Sequence, residues 1–146
     1  LYFVTLDFEE EDTMSATTIT ANAGSNHLIN QKPKLDYLKE LSGGDLTFIA
    51  EILEMFINDA PQAVAQSFEH LEKKNFEMLR ITVHKLKSSV QVVGGNYLTA
   101  LICEIECAAA AKIDKPDMFL QMLSTLDSDI RQMVQHLNGE LKEIKQ

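Results

Sequence analysis

The 146-residue sequence is short of cysteine, of positive charge and of long apolar runs, and each shortage narrows what it can be. Only two cysteines occur, Cys103 and Cys107. Two are too few for a disulfide framework, and a bridge between residues four apart on one helix has demanding geometry. They read as reduced thiols in or at the edge of a core, as in a cytoplasmic protein, rather than as a redox or metal site. Lysine and arginine number 13 against 22 aspartates and glutamates, for a formal net charge of −9. So acidic a surface repels phosphate backbones and anionic headgroups, which argues against nucleic acid or membrane as a partner. No apolar run reaches the roughly 18–20 residues that span a bilayer, and no basic stretch leads into an apolar segment of the secretory kind. Several chemical signatures are missing as well. There is no glycine-rich phosphate loop ending in Lys-Ser/Thr and no His-Glu-x-x-His. Nor is there a Glu-x-x-His pair of the di-iron type or a Gly-x-Ser-x-Gly elbow. No metal or other cofactor is implied for the chain itself.

What the sequence does contain is helical periodicity. Residues 1–8 alternate loosely and could pair as a short strand, Glu9 to Asp12 form a solvated acidic run, and residues 13–30 are rich in Thr, Ser, Ala and Asn. Residues 1–30 therefore read as a flexible polar leader, and 31–146 as one helical domain. After Pro33, Leu35, Leu38 and Leu41 mark a short amphipathic helix over 35–41 that Gly43 and Gly44 end. Asp45 is placed to cap a long second helix with one stripe of Ile49, Ile52, Leu53, Phe56, Ala60, Ala63, Val64, Ser67, Phe68 and Leu71. Pro61 lies inside that stripe, which predicts a kink or a short break near Asn58 to Ala60. Asn75 caps a third helix, and Asn96 is expected to cap a fourth that turns Leu98, Leu101, Ile102, Ile105, Ala108 and Ala109 inward. Pro116 suits the first turn of a last helix with Phe119, Leu123, Leu126, Ile130, Met133, Leu137, Leu141 and Ile144 on one side. Four long helices with short connections predict an all-α, up-down-up-down four-helix bundle, with a short extra N-terminal helix and the flexible leader.

Within the third helix one face stands out. Leu79, Val83, Leu86, Val90 and Val93 form the apolar stripe, so His84 points away from the core. Lys87 and Ser88 lie three and four positions on, one turn above it, and Gln91 continues the column. Gly94 and Gly95 stop the helix. His27, His70 and His136 lack such company and read as ordinary surface residues. A lone exposed histidine on a helix is usually nothing more; here an ammonium and small or flexible neighbours leave it open to a large partner.

The pattern His-x-x-Lys-Ser-Ser-x-x-x-x-Gly from His84 to Gly94 resembles the signature of histidine-containing phosphotransfer (HPt) domains of two-component phosphorelays. Ser42-Gly43-Gly44-Asp45-Leu46-Thr47-Phe48, followed by Glu51, Phe56 and Ala60-Pro61, resembles the segment that precedes the histidine helix in that family. The likeness covers roughly residues 35–145. One departure is Ser88, where many members carry glycine; serine is the next smallest choice.

The resemblance implies a phosphoryl carrier on His84 that passes the group between receiver-domain aspartates, without kinase activity of its own. Imidazole suits the task, because its unperturbed pKa of about 6.5 leaves the neutral nucleophile well populated. Lys87 can offset phosphoryl charge, and Ser88, Ser89 and Gln91 can donate or accept near it. In relatives of the chemotaxis-kinase type a glutamate twenty-two positions after the histidine receives its second ring nitrogen, which here is Glu106. The partners so implied are response-regulator receiver domains and a hybrid sensor histidine kinase, with Mg²⁺ on the receiver, and the carrier is expected to be a cytoplasmic monomer. Ile81 and Lys85, with the exposed sides of the 45–57 and 35–41 helices, are the candidate docking surface. Two other readings stand beside it. Phosphoacceptor domains of histidine kinases also present a helical histidine, but those resembling it carry His-Glu-Leu-Arg-Thr-Pro, and here Lys85 replaces the glutamate and no proline follows. The other is a non-catalytic interaction module that docks receiver domains or other partners without transferring phosphate.

Overall fold

A computed structural model describes residues 31–146. The strand, acidic run and leader expected over residues 1–30 lie outside the described residues, as does His27. The described part is all-helical, with five helices packed together: α1 (Asp36–Ser42), α2 (Leu46–Glu72), α3 (Phe76–Val92), α4 (Thr99–Ala110) and α5 (Pro116–Lys145). A 3₁₀ turn, Asn96–Leu98, leads into α4. The helix α2 packs on both α3 and α5, α3 packs on α4, α4 on α5, and α1 on α2. Among the described residues no helix is long and apolar enough to cross a membrane, and no cluster of His, Cys, Asp and Glu is placed to hold a metal ion.

The ends of these helices follow local chemistry. The Asp45 carboxylate accepts from the Thr47 and Phe48 amides at 3.0 and 3.2 Å, and the Asn75 side chain accepts from the Met78 amide at 3.2 Å. Each satisfies donors that a helix start leaves unpaired. Pro116 occupies the first turn of α5, where a missing amide costs nothing. Asn96 does not cap α4 as expected. Its own backbone enters the 3₁₀ turn, and α4 begins three residues later with no side-chain cap.

The apolar stripes meet as one core. Leu79, Val83, Leu86, Val90 and Val93 are buried, as are Leu98, Ile102, Ile105, Ala108 and Ala109, and Phe119, Leu123, Leu126, Ile130, Met133 and Leu137 of α5. Leu141 and Ile144, near the end of α5, are half-buried. Of the kink or short break expected near Pro61, the break does not occur: α2 is one continuous helix through it. Proline inside a helix costs about 3 kcal/mol, whereas each fully buried Leu or Val side chain stabilises by roughly 1.5–3 kcal/mol. Ala60, Val64 and Leu71 are buried on a single stripe across that point, so packing on both sides keeps the helix continuous through the exposed ring. Ser67, buried in the same stripe, donates to the Ala63 carbonyl at 2.9 Å and leaves no donor unpaired.

Candidate functional site

The α3–α4 connection sets which residues of the two helices meet. Gly94 has φ of 82°, and a Cβ there would lie 1.7 Å from the Lys34 carbonyl oxygen, so only glycine fits. The Lys34 amide in turn donates to the Gly94 carbonyl at 3.1 Å. A Cβ on Gly95 would collide with the Met133 side chain at 2.3 Å, so the turn is pressed closely onto α5. This compact reversal brings the outer edge of α4 alongside the polar face of α3.

His84, with 55% of its side chain exposed, stands on that face. Its Nδ1 lies 2.5 Å from Oε2 of Glu106, whose side chain is only 17% exposed. The other carboxylate oxygen, Oε1, accepts from the Lys87 ammonium at 3.0 Å. An ionised carboxylate can only accept, so the proton of a neutral His84 ring resides on Nδ1. The lone pair is then on Nε2, which makes no hydrogen bond among the described residues. Glu106 thus fixes the tautomer, and Lys87 balances the charge of the carboxylate that does so. Burial favours the neutral form of Lys87, but the Glu106 hydrogen bond and nearby negative groups outweigh it and raise its pKa above the usual lysine value.

The remaining predicted residues are placed differently. Ser88 and Gln91 are exposed, and among the described residues neither side chain makes a hydrogen bond. The Ser89 hydroxyl turns back to the Lys85 carbonyl at 3.4 Å. Lys87, expected to be free for phosphoryl oxygens, is engaged with Glu106. Of the thiols, both reduced, Cys107 is exposed, and Cys103 lies 3.9 Å from the Lys87 ammonium, partial burial pushing its pKa up. That contact, and the pairing of Arg80 with Glu77 at 2.7 Å one turn below His84, went unread in the sequence. The side chains of Arg80 and Glu77 are three apart on one helix, a spacing that could have disclosed the pair.

On the opposite flank of α3 a groove of about 570 Å³ runs between α2 and α3. Ile52, Met55, Met78, Ile81 and Lys85 line it. Tyr37, Leu41, Leu46, Phe48 and Met55 leave large apolar surface exposed on α1 and the first half of α2.

The chain matches no protein-family model, no curated protein and no solved structure.

Proposed function

We propose that this chain is a histidine phosphotransfer protein, a cytoplasmic up-down-up-down four-helix bundle that carries a phosphoryl group on His84 between receiver-domain aspartates. The observation that carries this reading is the Nδ1 contact with Glu106, which directs the lone pair of an exposed ring to Nε2. In the transfer step Nε2 attacks the phosphorus of a receiver's acyl phosphate. An N–P bond forms, the P–O bond to the aspartate breaks, and the aspartate leaves as a carboxylate. The proton stays on Nδ1, where Glu106 stabilises the positive charge that grows on the ring. Transfer to a second receiver is the same step in reverse, so no kinase activity is required. Mg²⁺ belongs to the receiver's acidic pocket. The apolar groove beside His84 and the exposed residues of α1 and α2 supply the docking surface, and hydrogen-bonding groups around His84 form its rim.

The bundle topology has its own support. The rings of Phe76 and Phe119, in the first turns of α3 and α5, pack with centroids 5.7 Å apart, which starts these two helices at one end. The Lys74–Asp114 pair joins the turns before α3 and α5 at that same end.

The test is incubation with a phosphorylated receiver domain and Mg²⁺. Acid-labile, base-stable label should appear on the chain and vanish in His84→Gln. Labelling by ATP alone would overturn the proposal. The partly buried Lys87–Glu106 pair favours a second reading, in which these residues merely join two helices and the chain docks receivers without transfer. Receiver binding without label would select it.

A further inference from the structure

We infer that the hydroxyl of Ser88 is the hydrogen-bond donor to the phosphoryl group on His84, and that Lys87 acts one step removed, through Glu106. This rests on the phosphotransfer reading above. Three hydrogen-bonding groups lie three to five positions beyond His84 on the same helix, on the turn above it: Lys87, Ser88 and Ser89. Two of them are already engaged. The Lys87 ammonium is held by Glu106 at 3.0 Å with Cys103 behind it, and its side chain is only 22% exposed. The Ser89 hydroxyl is turned onto its own helix. Ser88 is exposed, and its hydroxyl makes no hydrogen bond among the described residues.

Position adds to availability. Residues four apart on a helix are neighbours on its surface, and each Cα–Cβ bond tilts toward the N-terminus. The Ser88 side chain therefore leans down toward the turn that carries His84. Around the helix axis it sits on the groove side of His84, whereas Glu106 and Lys87 hold the ring from the α4 side. A group added to Nε2, the ring nitrogen that Glu106 does not hold, is directed away from Glu106. When the acyl P–O bond breaks and the N–P bond forms, the hydroxyl donates to a phosphoryl oxygen and keeps its proton. It adds no charge and takes no part in bond making. Its effect is on the stability of the phosphohistidine, and so on how the phosphoryl group divides between His84 and the receiver.

The experiment compares wild type, Ser88→Ala, Ser88→Gly and Ser88→Thr, each mixed with the same phosphorylated receiver and Mg²⁺ and followed to equilibrium. Circular dichroism verifies that helicity is kept. Loss of the hydroxyl in Ser88→Ala should lower the ratio of phosphohistidine to phosphoaspartate by about two- to tenfold, the range of one hydrogen bond made in water. Ser88→Thr, which keeps a hydroxyl, should stay within about twofold of wild type. Equal ratios for alanine and wild type would overturn the inference. So would a glycine variant that gains while alanine is unchanged, because that pattern assigns Ser88 to steric hindrance. So would a threonine variant that falls with alanine. Absence of label on wild type would instead defeat the phosphotransfer reading itself, which separates the two failures.

Discussion

The two flanks of α3 are built on opposite plans. Facing α4, the polar side chains are committed: Glu106 gives one oxygen to His84 and the other to Lys87, and Cys103 closes the row behind the ammonium. Facing α2, apolar side chains line a groove that no described residue fills, and Lys85 at its edge has no ion pair among the described residues. Committed groups hold one ring in one tautomer, which chemistry requires. Uncommitted apolar surface costs stability unless something covers it, which docking requires. The difference assigns orientation of the nucleophile to one side of the helix and recognition to the other.

Glu106→Gln tests the committed side and carries the largest expected effect. Replacing a charge-assisted hydrogen bond should slow phosphotransfer to His84 by about 10- to 100-fold, with receiver affinity unchanged. Quenched-flow labelling and calorimetry measure the two quantities, and a parallel loss of affinity would erase the division between flanks. Ile81→Ala should do the converse. The receiver's Kd is expected to rise about tenfold, while the transfer rate within the docked complex is kept.

Lys87→Met is expected to slow transfer only about three- to tenfold, since its ammonium acts through Glu106. It also predicts a pH signature. The pKa of Lys87 is raised above its ordinary 10.5. A folded-state value above the unfolded one stabilises fully below the unfolded pKa, and the benefit is lost as pH rises through the folded pKa. Urea titrations should therefore show a constant stability gap between wild type and Lys87→Met at neutral and mildly alkaline pH, closing above about pH 10.5. Gly139→Ala touches neither flank. A Cβ at Gly139 meets open space within α5, so alanine should add about 1 kcal/mol of stability. Transfer and docking should not change, which makes it a control for the other three.

Much of the helical layout was legible because burial follows the 3.6-residue period. Val83, Leu86 and Val90 lie under His84, and all are buried. Period alone says less about polar positions at the edge of a stripe: Thr82 is buried although the stripe skips it. Nor does it weigh a local cost against packing, so Pro61 suggested a kink or a short break, and the buried residues around it keep the helix continuous. The site divides the same way. Exposure of His84 follows from its place opposite the stripe. Glu106 lies twenty-two residues away on another helix, and only a likeness between sequences pointed to it. That Lys87 would be drawn to that carboxylate depends on how far apart α3 and α4 lie and how they are rotated, which no spacing within one helix encodes.

The touch between Gly94 and Lys34 gives the helix that bears His84 a reporter of its own integrity. The Lys34 amide is bonded across the chain reversal to the Gly94 carbonyl, not within any helix. Its exchange with deuterated solvent thus requires those two backbones to part, and the rate of exchange at that single proton reads how often the end of α3 opens. Isotope labelling at one lysine would follow fraying of the carrier helix in solution, with or without a receiver bound.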